Sequence, residues 1–135
     1  MRGIMCYILV FNVFIAAAQA GLYVNTPNLT DGNKIKWTVD LKADGTFTYH
    51  FFRDVRVSSA ASKEVENYYA RGTWVLSDKT ILFYSEENED VNLNNSKARY
   101  YTKSPRDKTD RIIKTRLRFY ESDSPHIKGL ELFKQ

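Results

Sequence analysis

Ile35-Lys36-Trp37-Thr38-Val39-Asp40-Leu41, then Ala43-Asp44-Gly45, then Thr46-Phe47-Thr48-Tyr49-His50-Phe51-Phe52: this stretch decides the fold. Its first segment alternates apolar and polar side chains without a break, the period of a strand with one buried face. Asp44 and Gly45 then supply the residue types of a tight turn, since Asp tolerates left-handed geometry and Gly adopts positive φ at no steric cost. The last segment sets Phe47, Tyr49 and Phe51 on one side and Thr46, Thr48, His50 and Phe52 on the other. Two such runs across a short turn predict a β-hairpin.

Working outward from this hairpin, Tyr68 to Leu76 and Thr80 to Tyr84 flank the polar turn Ser77-Asp78-Lys79 and predict a second hairpin. Ala98 to Lys103, Ile112 to Tyr120 and Ile127 to Lys134 predict three further strands, for about seven in all. In the sixth, Ile113, Thr115, Leu117 and Phe119 share one face, opposite Lys114, Arg116 and Arg118. Val55 to Asn67 reads as a long connection or a short helix, Glu86 to Ser96 as an exposed acidic loop, and Ser104 to Asp110, with Pro105, as an interruption.

Seven antiparallel strands in one open sheet would leave two bare edges and an uncovered apolar face. With no helical period after residue 20, the sheet has only itself as a cover. The expectation is therefore all-β: an antiparallel meander closed into a small barrel, with a two-sheet sandwich as the alternative.

Leu41-Lys-Ala-Asp-Gly-Thr-Phe47, Arg71-Gly-Thr-Trp74 and Thr80-Ile-Leu-Phe83 resemble the recurring pattern of small bacterial exported lipocalin-like domains, including the barrels of copper-resistance lipoproteins. The resemblance covers roughly residues 35 to 85 and implies a lipocalin-like barrel in which the indole of Trp74 plugs the interior. The chain departs from the copper-resistance type in lacking its Cys-x-x-Cys element and the lipid-anchor cysteine. The resemblance therefore carries architecture and not metal sensing.

The opening residues are a separate case. Arg2 precedes an apolar run from Ile4 to Ala18, and Ala18-Gln19-Ala20 is a small-x-small cleavage sequence, so residues 1–20 read as a signal peptide and residues 21–135 as one barrel domain. Cys6, the one cysteine, falls in that leader. The remainder must then be stabilised without disulfides, and it has no thiolate metal ligand or thiol nucleophile. No later run approaches the ~20 apolar residues of a membrane-spanning helix. Export to the periplasm or the medium is expected. Asn28-Leu-Thr30 and Asn94-Asn-Ser96 are glycosylation sequons that matter only in a eukaryotic secretory route.

The charge is +4 overall, too small to imply a nucleic-acid partner, but it is unevenly spread. Nine Lys and Arg residues lie between Lys97 and Arg118 against Asp107 and Asp110, and just upstream stand Glu86, Glu87, Glu89 and Asp90. Alternate cations at Lys114, Arg116 and Arg118 on one strand face suit a carboxylate, phosphate or sulfated sugar. They also suit a plain solvated face that discourages edge pairing. If the barrel interior were its polar side, the same cations would point inward. Trp37, Tyr49 and Trp74 are candidate cavity-lining residues, though aromatic side chains equally fill small cores. His50 and His126, the only histidines, have no spacing that brings them together as metal ligands. No Gly-x-Ser-x-Gly elbow is present, and the carboxylate pairs sit in polar segments.

These readings combine into an expected function: an exported, monomeric, non-catalytic binding module for a small amphipathic or anionic molecule, with no cofactor, metal or nucleic acid. Its site is expected to draw on Lys114, Arg116, Arg118, Trp37, Tyr49 and Trp74. The alternative is an envelope or extracellular interaction protein with a filled barrel and a basic docking surface from Arg99 to Arg118. An enzyme using His50 with a carboxylate is the remote third.

Overall fold

A computed structural model describes residues 19–29, 32–56, 63–103, 106–124 and 127–135. Eight strands follow one another: β1 (Gly21–Asn25), β2 (Lys34–Leu41), β3 (Thr46–Arg56), β4 (Lys63–Ser77), β5 (Thr80–Ser85), β6 (Lys97–Tyr101), β7 (Arg116–Glu121) and β8 (Glu131–Lys134). Each pairs antiparallel with its neighbour, and β8 returns to β1, so the meander closes into a barrel and the sandwich alternative falls. Among the described residues there is no helix, and none that is long and apolar enough to cross a membrane. The predicted leader lies almost wholly outside the described residues.

The hairpin from which the sequence was read has the expected register. Leu41 faces Phe47, Val39 faces Tyr49 and Trp37 faces Phe51, so the apolar side chains of both strands meet on the inner wall. Gly45 adopts φ +91° and donates to the Lys42 carbonyl at 3.0 Å. The Asp44 carboxylate accepts the Thr46 amide at 2.9 Å and its hydroxyl at 2.6 Å. Trp74 fastens this turn to β4, its backbone N–H donating to the Gly45 carbonyl and its indole N–H to the Lys42 carbonyl at 3.0 Å.

Inward-facing residues of every strand make one continuous core, which includes Tyr23, Val39, Phe47, Trp74, Phe83, Leu117, Phe119 and Leu132. Phe47 meets Phe83 edge-on with centroids 5.1 Å apart, and Phe83 stacks on Phe119 at 5.2 Å. Gly72 sits where β4 runs against β5. A Cβ there would press into the Tyr84 carbonyl oxygen and lie 2.9 Å from the Ser85 Cα. The seam between β1 and β8 is short: Tyr23 faces Lys134 and Val24 faces Phe133, supported by the Gln135 amide on the Leu22 carbonyl at 2.9 Å.

Several boundaries differ from the sequence reading. β1 makes the strand count eight. The described part of Val55 to Asn67 is strand: β3 runs on to Arg56 and β4 begins at Lys63, a tall hairpin whose tip, residues 57–62, lies outside the described residues. The expected strand from Ile112 starts only at Arg116, because Ile112 has no sheet to bury it and is 95% exposed. The last strand begins at Glu131, and Ile127 is instead buried within a turn. The 86–96 loop is polar outside, but it sinks Leu93 fully into the core.

The up-and-down order separates two ends. One carries the 42–45 and 78–79 turns, the 102–115 connection and both Gly21 and Gln135. The other carries the tall β3–β4 hairpin and the connections 26–33, 86–96 and 122–130.

Two outcomes test this account. Gly72→Ala is expected to lower the unfolding free energy by about 1–3 kcal/mol, the usual cost of overpacking. The readout is the urea midpoint, and an unchanged midpoint would contradict the close approach of β4 to β5. Asp44 and Asp107 are each held below the usual carboxylate pKa, first by a threonine hydroxyl and then by the same residue's amide, Thr46 and Thr109 respectively. A depressed folded pKa contributes stability above the unfolded value that is lost as pH falls through the folded one. Replacing both by alanine should therefore shrink the fall in Tm between neutral and strongly acidic buffer; an identical fall would remove these turns as its source.

Candidate functional site

Burial along the inner wall falls toward the long-loop end. On β2, Leu41 and Val39 are fully enclosed, whereas Trp37 and Ile35 are half-buried. On β3 the series runs from buried Phe47 and Tyr49 through half-buried Phe51 to exposed Arg53. The core therefore stops short of this end, and above it lies an open cleft of about 860 Å³. This volume is within the ~300–1,000 Å³ usual for small-molecule sites.

One wall of the cleft is the tall hairpin, which contributes Phe51, Arg53, Val55, Glu66 and Tyr68. The facing wall comes from two connections, through Asp90, Val91 and Asn92 of one and Asp123 and Ser124 of the other. The length of β4 holds these connections in place. β4 has fifteen residues and β5 only six, so the outer part of β4 pairs with β3 on one side and has no strand on the other. Its backbone groups still need partners. The 86–96 loop supplies them: the Glu86 amide donates to the Arg71 carbonyl at 2.9 Å, and the Asp90 amide to the Tyr69 carbonyl at 3.0 Å. The Asp90 carboxylate accepts the Tyr69 amide at 2.9 Å. Arg71 reaches Glu86 at 3.0 Å and Glu89 at 3.1 Å. Asn95 then donates to Asp123 at 3.0 Å, and Ser96 shares a 2.8 Å hydrogen bond with Ser122, which ties the second connection to the first.

The floor is aromatic. Trp37 and Phe51 lie 5.1 Å apart between centroids, and Phe51 stacks on Tyr68 at 6.0 Å. Burial pushes the Tyr49 phenol up to about 12, opposed in part by the nearby Trp37 N–H. That N–H is itself enclosed and makes no hydrogen bond of acceptable geometry among the described residues. At the rim Arg53 stands 3.6 Å from Glu66.

Of the six expected site residues, the cleft unites only Trp37 and Tyr49. Trp74 is 3% exposed in the core and engaged with the β2–β3 turn, away from the cleft. The three cations do not point inward: Leu117 and Phe119 occupy the inner face of β7, so Arg116 and Arg118 lie on the outer wall. Arg116 sits over the Tyr101 ring at 4.9 Å and within 3.3 Å of Glu131, although its Nε is too poorly aligned to donate a hydrogen bond. Lys114, in the connection before β7, lies 5.9 Å over Phe133. His50 is also outside, stacked on Tyr69 at 4.5 Å and 2.8 Å from the Asn67 amide oxygen, with no carboxylate in that contact. His126 lies outside the described residues. The sequence did not single out Arg53 or Asp123, whose only signal is their charge, and Glu66 and Asp90 read there as carboxylates of solvated polar segments.

Comparison with protein-family models, curated proteins and solved structures finds no match to this chain.

Burial gives a measurable signature. Tyr49 and Tyr23 both have pKa values raised chiefly by desolvation. A raised folded pKa contributes stability present below the unfolded value of about 10 and lost as pH climbs through the folded value. Tyr49→Phe is therefore expected to move alkaline unfolding to higher pH and to delete part of the last-titrating tyrosinate absorbance. Titration of all tyrosines in one early step would contradict the enclosed floor.

Proposed function

We propose that this protein is a lipocalin-like binding module that takes a small amphipathic molecule in the cleft above Trp37, without catalysis. One observation carries the reading: an open cleft of about 860 Å³ floored by the rings of Trp37, Phe51 and Tyr68. A ligand that lays its apolar body on these rings buries their exposed apolar surface together with its own.

The rim chooses the head group. Among the described residues, Glu66, Asp90 and Asp123 stand there against Arg53 alone. A negative surplus disfavours an anionic head and suits a neutral or cationic one, which the faces of Trp37 and Tyr68 also attract. The anionic ligand considered from sequence thus has its cations on the other side of the wall. The leader-like residues 1–20 support export as the setting of this binding.

The test uses two single-chain amphiphiles below their micellar concentrations, dodecyltrimethylammonium and dodecyl sulfate, followed by tryptophan fluorescence. The cationic probe is expected to bind saturably and more tightly than the anionic one. Phe51→Ala and Tyr68→Ala are each expected to weaken it at least about tenfold, or about 1.4 kcal/mol. Arg118→Gln should leave it unchanged. Absence of saturable binding, together with native mass spectra free of any retained molecule from the source organism, would reject the carrier reading.

A further inference from the structure

The outer wall of β6 and β7 carries cations of two kinds. Lys97 is 3.4 Å from Glu121, and Arg116 is 3.3 Å from Glu131, so these two are neutralised. Arg99 and Arg118 are not: both are exposed, and among the described residues neither has an ion-pair partner. They face each other directly in the β6–β7 register. Glu131 lies opposite Arg118 across β7 and β8, but its carboxylate is engaged with Arg116.

Directly opposed like charges destabilise an antiparallel pair. The two arginines therefore act against the sheet that holds them, and such a local conflict is a mark of function. They also border a groove of about 630 Å³, independent of the cleft, into which the β7–β8 turn brings Lys128. Lys128 too is exposed and without an ion pair among the described residues. Thr80 faces Arg99 from β5 and lines the same groove with its hydroxyl-bearing side chain.

We infer that this groove is a second binding site, specific for a doubly charged phosphate group. Two guanidinium groups on facing strands present planar donor forks to one tetrahedral oxyanion, and a lysine adds a point charge. Three positive charges around one groove exceed what a single carboxylate neutralises, whereas a phosphate dianion offers both the charge and the acceptors. The bound anion screens Arg99 from Arg118, so binding also stabilises the barrel.

The experiment titrates the full chain with inorganic phosphate, against sodium chloride at matched ionic strength, while Tm and arginine side-chain NMR resonances are recorded. Expected are saturable shifts of the Arg99 and Arg118 Nε–H signals and a phosphate-dependent rise in Tm. In R99Q/R118Q the starting Tm should be higher, since the repulsion is gone, and the phosphate response should vanish. That double variant gains stability under the inference, so loss of binding cannot be put down to misfolding. Arms with phosphatidylcholine vesicles, with and without phosphatidic acid, separate the sources. Sedimentation only with the acid-containing vesicles, reversed by inorganic phosphate, places the phosphate on a lipid head; saturation by inorganic phosphate without sedimentation places it on a soluble molecule. Shifts that follow ionic strength alone, or a double variant that responds as the parent does, overturn the inference.

Discussion

A sheet without a second layer must cover its apolar face with itself, and every other property of this barrel follows from that constraint. Helices could have packed on Trp37, Phe47 and Leu117, but no described segment forms one. Closing the meander solves two problems together, since it encloses one face of all eight strands and removes both edges. The core is filled by large side chains on the inner wall, with Leu93 and Ile127 added from the connections.

Unequal strand lengths turn this closed body into one with a site. β3 and β4 rise above the others as a paired hairpin, and β5 is too short to accompany β4. The unmet hydrogen-bonding groups of β4 recruit the 86–96 loop, which in turn holds the 122–124 turn through Asn95 and Ser96. The cleft is the space left between the tall hairpin and this pair of connections. Its floor is simply the last layer of the core, which accounts for aromatic residues meeting charged ones within a single site.

The hairpin from Ile35 to Phe52 was legible because one side of it is dry and the other wet, so the polarity of the side chains records their direction. That record fades where both faces meet solvent. Arg53 and Glu66 are inner-wall residues of the tall hairpin, yet they are charged, and the strand period disappears there. β1 was hidden for the opposite reason: in Gly21-Leu-Tyr-Val-Asn25 apolar residues fall on both faces, with Tyr23 buried and Leu22 43% exposed. Ile112 and Ile113 misled because apolar residues beyond the last paired strand have no sheet to join. Leu93 was invisible, since one apolar side chain in a polar loop has no period. In the site, Trp37 and Tyr49 were legible as inward aromatic residues, whereas which end stays open depends on relative strand lengths and is not a property of any one residue.

The β1–β8 seam bears on how the chain reaches this shape. Seven of the eight junctions join strands that are neighbours in sequence, and each can form soon after its connection folds back. The eighth joins opposite ends of the domain, as the 2.7 Å bond from the Asn25 side-chain Nδ2 to the Glu131 carbonyl shows, spanning 106 positions. Its loop-closure entropy comes due in one late step. Until that clasp shuts, β1 and β8 remain sticky borders of an open ribbon, so the interval before closure is when two copies are most prone to exchange ends.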